Sequence, residues 1–213
     1  MRFLFDFISP YAYLAFTQLP RVEASTGATF ELVPVLFAGL LGAHGNIGPA
    51  EVPAKRRYVA IDMLRMADEL GVRITIPPHH PFNPLLALRV ASIASPGEQR
   101  RAVVEALFDA VWCRGEAIDS ERGVLDALEG VIEDASALVK GAGESTAKLL
   151  LREHTERAIE EGVFGVPTVI TEGELFWGAD SLRHLERGWS RTDEQDALLE
   201  RWERVTPSAV RKR

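Results

Sequence analysis

The sequence predicts an α/β domain interrupted by an all-helical insertion, and three observations lead there. Strand-type segments occur only toward the two ends of the chain. The stretch between them, from Ala54 to Glu161, carries apolar residues at helical spacing, and the first strand runs directly into a helix-start signal. With 213 residues, 46% of them hydrophobic, the chain can build a sizeable core in one large domain or two small ones.

Arg2-Phe3-Leu4-Phe5-Asp6-Phe7-Ile8 is apolar on both pleat faces except at Arg2 and Asp6, the pattern of a central strand covered on both sides. Ser9-Pro10 follows at once, and Tyr11 to Leu19 is apolar at helical spacing; serine at the N-cap and proline at the first helical position start a helix. Pro20 is expected to kink it and Gly27 to end it. Thr29 to Leu36 reads as a second strand, in which Pro34 marks an edge or a strand end. Strand, helix and strand together form a right-handed parallel unit. Residues 38–53 lose periodicity and gain Gly39, Gly42, Gly45, Gly48, Pro49 and Pro53, and are read as a long loop.

The next helix is expected to carry Tyr58, Ile61, Met63, Leu64, Met66 and Leu70 on its apolar side and to stop at Gly71. Leu85 to Ile93, Glu98 to Trp112, Val124 to Leu128 and Ser145 to Ile159 follow as further helices. Strand character returns at Thr168–Thr171 and, across Glu172-Gly173, at Glu174–Trp177, a compact hairpin. Asp180 or Ser181 can cap a short helix, and Asp193 to Val205 supplies the last one. Residues 1–38 and 157–213 are therefore expected to form one discontinuous domain around a helical insertion of residues 39–156.

Composition removes several classes of function. Twenty-four basic against 31 acidic residues leave a net charge of -7, which disfavours a broad nucleic-acid surface and points to a small-molecule partner. A single cysteine, Cys113, excludes intrachain disulfides, C-x-x-C redox pairs and cysteine-based zinc sites. No apolar run approaches the ~18 to 20 residues that span a bilayer. Asp6 and Pro10 interrupt the apolar start where a signal peptide would need continuity, so no membrane partner and a cytoplasmic location are expected. His79-His80 lacks a third metal ligand at a recognisable spacing, so no metal is expected. Arg211-Lys212-Arg213 reads as a solvated tail.

Two segments can carry chemistry. Ser9 sits where a parallel strand meets a helix N-terminus, a place that stabilises anions, thiolates included; the same serine can equally be an ordinary cap. In Gly165-Val166-Pro167-Thr168, a proline at a strand entrance tolerates a cis bond and can turn the Val166 backbone outward toward an extended peptide, or can simply begin the strand. Cys113, at the end of the mostly apolar helical run Phe108 to Cys113, is read as packing. The spacing of Gly39, Gly42, Gly45 and Gly48 matches neither G-x-G-x-x-G nor a P-loop.

Taken together, Phe5-Asp6-Phe7-Ile8-Ser9-Pro10-Tyr11-Ala12-Tyr13-Leu14, Gly45-Asn46-Ile47-Gly48-Pro49, Gly162-Val163-Phe164-Gly165-Val166-Pro167-Thr168 and Phe176-Trp177-Gly178-Ala179-Asp180 resemble one family in order and spacing. It is that of the 2-hydroxychromene-2-carboxylate isomerases, relatives of kappa-class glutathione transferases and of the thioredoxin-fold disulfide oxidoreductases. The resemblance runs nearly end to end. It implies a thioredoxin-like domain interrupted by a helical domain, glutathione bound between them, and a homodimer. It further implies that Ser9 stands where the oxidoreductases carry a redox cysteine and hydrogen-bonds the glutathione sulfur. Val166, before Pro167, would pair its main chain with the cysteinyl unit. Trp177, Gly178, Ala179 and Asp180 would hold the γ-glutamyl end, with Ser181 adjacent, and Asn46 belongs to a loop beside the site.

The implied reaction is cis–trans isomerisation of an aromatic hemiketal carboxylate to an open-chain benzylidenepyruvate. A thiolate adds to a conjugated carbon, the bond rotates, and the thiolate leaves. Where naphthalene-pathway members hold the keto acid with lysine, asparagine-arginine and tyrosine, this chain reads Gly42, Val52-Pro53 and His80; Arg56 or Arg57 can take over the carboxylate. Two other activities share these residues: a kappa-like glutathione transferase that conjugates small electrophiles, and a non-catalytic peptide-binding module on the oxidoreductase fold.

Overall fold

Strand β1 (Arg2–Phe5) is the centre of a four-stranded sheet in the computed structural model, which describes residues 1–208. It pairs parallel with β2 (Glu31–Pro34) and antiparallel with β3 (Thr168–Thr171), which turns into β4 (Glu174–Trp177), giving the order β2-β1-β3-β4. Phe3 lies opposite both Leu32 and Val169, and β2 is the edge that Pro34 predicts. The hairpin turn places Glu172 at φ 50° and Gly173 at φ 81°, the two left-handed residues of a tight turn that matches strand twist.

Central position explains the apolar composition of β1. Phe3 and Phe5 face one side, where Phe7, Phe16 and Phe108 join them; the Phe7 and Phe108 rings meet edge-on at 4.8 Å. Leu4 faces the other side, with Val33, Leu40, Val163 and Ile170. Helix α1 (Pro10–Phe16) gives way to α2 (Leu19–Thr26) at Thr17-Gln18, so Pro20 falls in the first turn of a new helix rather than inside a kinked one. Gly27, at φ 70°, closes α2 with its N–H on the Glu23 carbonyl.

The loop expected at residues 38–53 is corrected: it contains helix α3 (Phe37–Ala43) and a 3₁₀ turn at Pro49–Glu51. Gly39 within it is a packing residue. A Cβ on Gly39 would lie 2.9 Å from Thr155 Cγ2, on the distant helix Ser145–Glu160, so glycine here permits close approach of two helices. Thr155 cannot easily yield, because its Oγ1 accepts from the Leu36 N–H and donates to the Leu151 carbonyl.

Helix α4 (Pro53–Leu70) stops at Gly71 as expected, but its buried positions are Met63 and Ala67, while Tyr58, Ile61 and Leu64 are exposed. Next come α5 (Leu85–Ile93) and α6 (Glu98–Phe108), the latter continued by a π turn over Asp109–Arg114. They are followed by α7 (Glu121–Leu128), α8 (Ala135–Gly141) and α9 (Ser145–Glu160). Helix α8 is unannounced by apolar periodicity; Asp134 caps it by accepting the Ala137 N–H at 2.9 Å. Buried Arg100 ties α5, α6 and β2 together by donating to the carbonyls of Ser92, Ala94 and Leu32. After β4, a 3₁₀ turn (Ala179–Ser181) leads into α10 (Leu182–Glu186), and α11 (Asp193–Glu203) ends the described chain, capped by Thr192. The tail Arg211-Lys212-Arg213 lies outside the described residues. Among the described residues no helix is long and apolar enough to cross a membrane.

The two α3 glycines separate packing from propensity. Gly39→Ala is expected to lose about 1–3 kcal/mol by forcing α3 off Thr155. Gly42→Ala, which meets nothing within 4 Å, is expected to gain about 0.5–1 kcal/mol. Urea denaturation of both variants checks this; equal effects would refute the close-packing account.

Candidate functional site

The end of β1, the start of α1 and the segment before β3 border a cavity of about 770 Å³, whose walls include Asp6, Ser9, Lys55, His80, Val166 and Trp177. Its remaining surface is mostly apolar, from Leu36, Phe37 and Leu41 among others.

Ser9 caps α1 from extended backbone, φ -93° and ψ 115°, and is 8% exposed. Its N–H donates to the Asp6 carbonyl at 3.1 Å and its Oγ accepts the Ala12 N–H at 3.2 Å. That capping bond uses a lone pair and leaves the hydroxyl proton for a ligand. Helix α1 has only seven residues, so its dipole is short; the donors at its start matter more. Ala12 is already bonded, Pro10 has no N–H, and the Tyr11 N–H is the one in this turn without a partner among the described residues.

Beneath this turn lies Asp6, with no exposed surface. Its Oδ1 accepts the Ile8 N–H at 3.0 Å and its Oδ2 accepts the Phe37 N–H at 2.9 Å. Burial pushes the carboxyl up from 3.8 to about 7, against the downward pull of those two bonds. The signal was visible in the sequence as the one acid inside an otherwise apolar strand.

Across the cavity, the Val166–Pro167 peptide is cis. The Val166 N–H and C=O make no hydrogen bond among the described residues, whereas the Pro167 carbonyl accepts the Gly178 N–H at 2.9 Å. Trp177 packs against Phe164 with ring centroids 4.9 Å apart and planes tilted by 60°, and Gly165 fits beneath it because a Cβ there would approach the indole Nε1 to 2.7 Å. Gly178, at φ 94°, Ala179, Asp180 and Ser181 form the turn after β4. Neither Asp180 nor Ser181 makes the side-chain cap expected of it; the Ser181 hydroxyl donates to the Gly178 carbonyl at 2.7 Å, which leaves Asp180 exposed. Tyr11 lies between this turn and α4. Burial first, then the bond its hydroxyl donates to Asp62 Oδ2 at 2.8 Å, raise its pKa, with the Asp180 charge adding to both.

Helical phase sorts the cations of α4. Lys55, Tyr58 and Val59, at i, i+3 and i+4, face the main cavity. Arg56, Val59, Ala60 and Met63 form the next stripe and line an adjoining chamber of about 190 Å³, together with His80 and Trp112. Arg57 belongs to neither stripe, and Asn46 is exposed; neither borders the cavity or the chamber. Nothing in the local sequence separates Lys55 from its neighbours Arg56 and Arg57; only the helix phase singles it out. Cys113 is not on these walls, and burial, then its bond to Asp109, raise its thiol pKa. A further depression of about 820 Å³ between α6 and α7 is edged by the ion-paired Asp109, Arg114 and Glu116 and excludes Ser9.

Residues 1–188 match the DSBA-like thioredoxin domain family. The chain is 32% identical over 200 residues to a Pseudomonas putida protein named 2-hydroxychromene-2-carboxylate isomerase, covering 92% of this chain and 97% of that one. It is 28% identical to the human protein named glutathione S-transferase kappa 1, over 98% of this chain and 95% of the other. A solved 2-hydroxychromene-2-carboxylate isomerase superposes with a TM-score of 0.82 at 32% identity, covering 93% of this chain and 98% of its own.

Between 3.8 and about 7, the native state keeps a proton on Asp6 that the unfolded chain releases, so this group's contribution to stability falls as pH rises through that window. Asp6→Asn is expected to flatten that component. Denaturation of wild type and variant at steps across the window measures it, and parallel curves would contradict the assignment.

Proposed function

The chain belongs to the DSBA-like thioredoxin family and, within it, to the 2-hydroxychromene-2-carboxylate isomerases, and on that premise we propose that it is a glutathione-dependent cis–trans isomerase of small aromatic carboxylates. One observation carries this reading: a hydroxyl with its proton free, at Ser9, and an unpartnered peptide edge, at Val166, border the same apolar-walled cavity. That is what an extended thiol peptide requires: main-chain pairing for its backbone and a donor for its sulfur.

Glutathione, when bound, supplies the thiolate that adds to and leaves a conjugated carbon, making the double bond single long enough to rotate. Ser9 donates its hydroxyl hydrogen bond to the sulfur, and the Tyr11 N–H is the second donor in reach of the same turn. Both favour the anion. Val166 pairs with the cysteinyl backbone. Trp177, Gly178, Ala179 and Asp180, with Ser181 adjacent, receive the γ-glutamyl end, where the exposed Asp180 carboxylate suits an ammonium group. Pro167 fixes the outward turn of Val166.

Lys55 in the main cavity and Arg56 in the chamber are the cations available to the substrate carboxylate. They replace the pair Arg56 and Arg57, since Arg57 turns away from both spaces. A kappa-like transferase would use the same donors and differ in retaining the adduct.

Millimolar glutathione is expected to raise the Tm of the wild type, since a ligand that binds only the native state stabilises it. Ser9→Ala is expected to reduce turnover about tenfold to a hundredfold, the worth of a hydrogen bond to a charged atom. Chromatography of enzyme, glutathione and 2-hydroxychromene-2-carboxylate decides the reaction: trans open-chain product with no lasting conjugate is expected, and an accumulating conjugate would replace the isomerase with a transferase.

A further inference from the structure

We propose that His80, through Nδ1, carries the proton that opens the cyclic hemiketal of the substrate, a step separate from the rotation that glutathione serves; this inference rests on the substrate class proposed above.

Placement is the first argument. Among the described residues, His80 is the one titratable side chain bordering both the 770 Å³ cavity and the 190 Å³ chamber, and its ring is held edge-on to Trp112 at 5.5 Å and Phe82 at 6.4 Å. Tautomer is the second. His80 Nε2 lies 2.9 Å from the carbonyl oxygen of Ile8, the residue before Ser9. A carbonyl only accepts, so Nε2 carries the proton and, in the neutral ring, Nδ1 carries the lone pair. Nδ1 has no partner among the described residues, and it is not among the sealed, unsatisfied side-chain atoms, so a small molecule can reach it. Burial first, and then Arg56 on α4, lower the pKa of the ring and so favour its neutral form, against the upward pull of the Ile8 carbonyl. The ring is therefore a base with its second nitrogen fixed, beside the residue that would hold the thiol.

Ring opening needs such a group. The bond between the hemiketal carbon and the ring oxygen breaks, and its electron pair goes to what becomes the phenolate. The hemiketal hydroxyl gives its proton to Nδ1 as its oxygen becomes a carbonyl. The imidazolium then returns that proton to the phenolate oxygen, so His80 ends as it began and no oxidant or co-reactant is consumed.

The step needs no glutathione, which separates its test from that of the isomerase. Exchange NMR on 2-hydroxychromene-2-carboxylate with glutathione-free wild-type protein is expected to show faster interconversion of cyclic and cis open forms. His80→Gln, whose amide can still donate to the Ile8 carbonyl but cannot take a proton, is expected to lose about a hundredfold of that acceleration. In glutathione-supplemented assays, its loss on the chromene is expected to exceed its loss on cis-benzylidenepyruvate lacking the ortho hydroxyl, which cannot cyclise, by about tenfold. No acceleration by the wild type, or full acceleration by His80→Gln, overturns the proposal, as does an equal loss on the two substrates. Wild-type ring opening without any glutathione-dependent trans product would instead overturn the isomerase and leave the role of His80 standing.

Discussion

A fully buried carboxyl group at the end of a central strand is the constraint from which the rest of the site follows. Asp6 accepts the N–H of Ile8, in the turn that presents Ser9, and the N–H of Phe37, at the start of α3. One side chain thus locks the turn that presents Ser9 and the helix that roofs the cavity into one geometry. Burial sets the cost: without those two donors an acid in this position would be an uncompensated polar group. On the other side of β1, Phe5 and Phe7 press against Phe108, so the turn is held from the core by packing and from the cavity by hydrogen bonds.

The cavity divides its tasks by chemical type. Main-chain groups at Val166 and Tyr11 face it without partners among the described residues, and its side chains include the Ser9 hydroxyl, the His80 imidazole and the Lys55 ammonium. Backbone donors come with no rotamer freedom to lose, which suits a peptide ligand that must lie in one register. The apolar remainder suits an aromatic body, and a polar contact made against it is stronger than one in bulk solvent.

Features with local causes were legible in the sequence. Ser9-Pro10 had to cap and start a helix, Gly27 and Gly71 had to end theirs, and Glu172-Gly173 had to turn a hairpin, because each depends on the conformational preferences of adjacent residues. Features with distant causes were not. Gly39 looked like a loop glycine and is a helix contact, since the reason for it, Thr155, lies on α9. Tyr58, Ile61 and Leu64 read as a core stripe and are exposed, because the rest of the protein packs on the Met63 and Ala67 side of the helix instead.

The sequence by itself determined the order of the strands and of the longer helices, the absence of any cysteine pair, and the motifs that place Ser9, Val166 and Trp177 in a recognisable series. Only the tertiary structure decided which of three consecutive cations enters which space, that Ser181 turns back to the Gly178 carbonyl, and that His80 has one nitrogen committed and one free. The reason is physical: caps and turns are set by torsions of neighbouring residues, whereas helix phase against a partner, burial of a charge and the choice of tautomer are set by groups that the fold alone brings near.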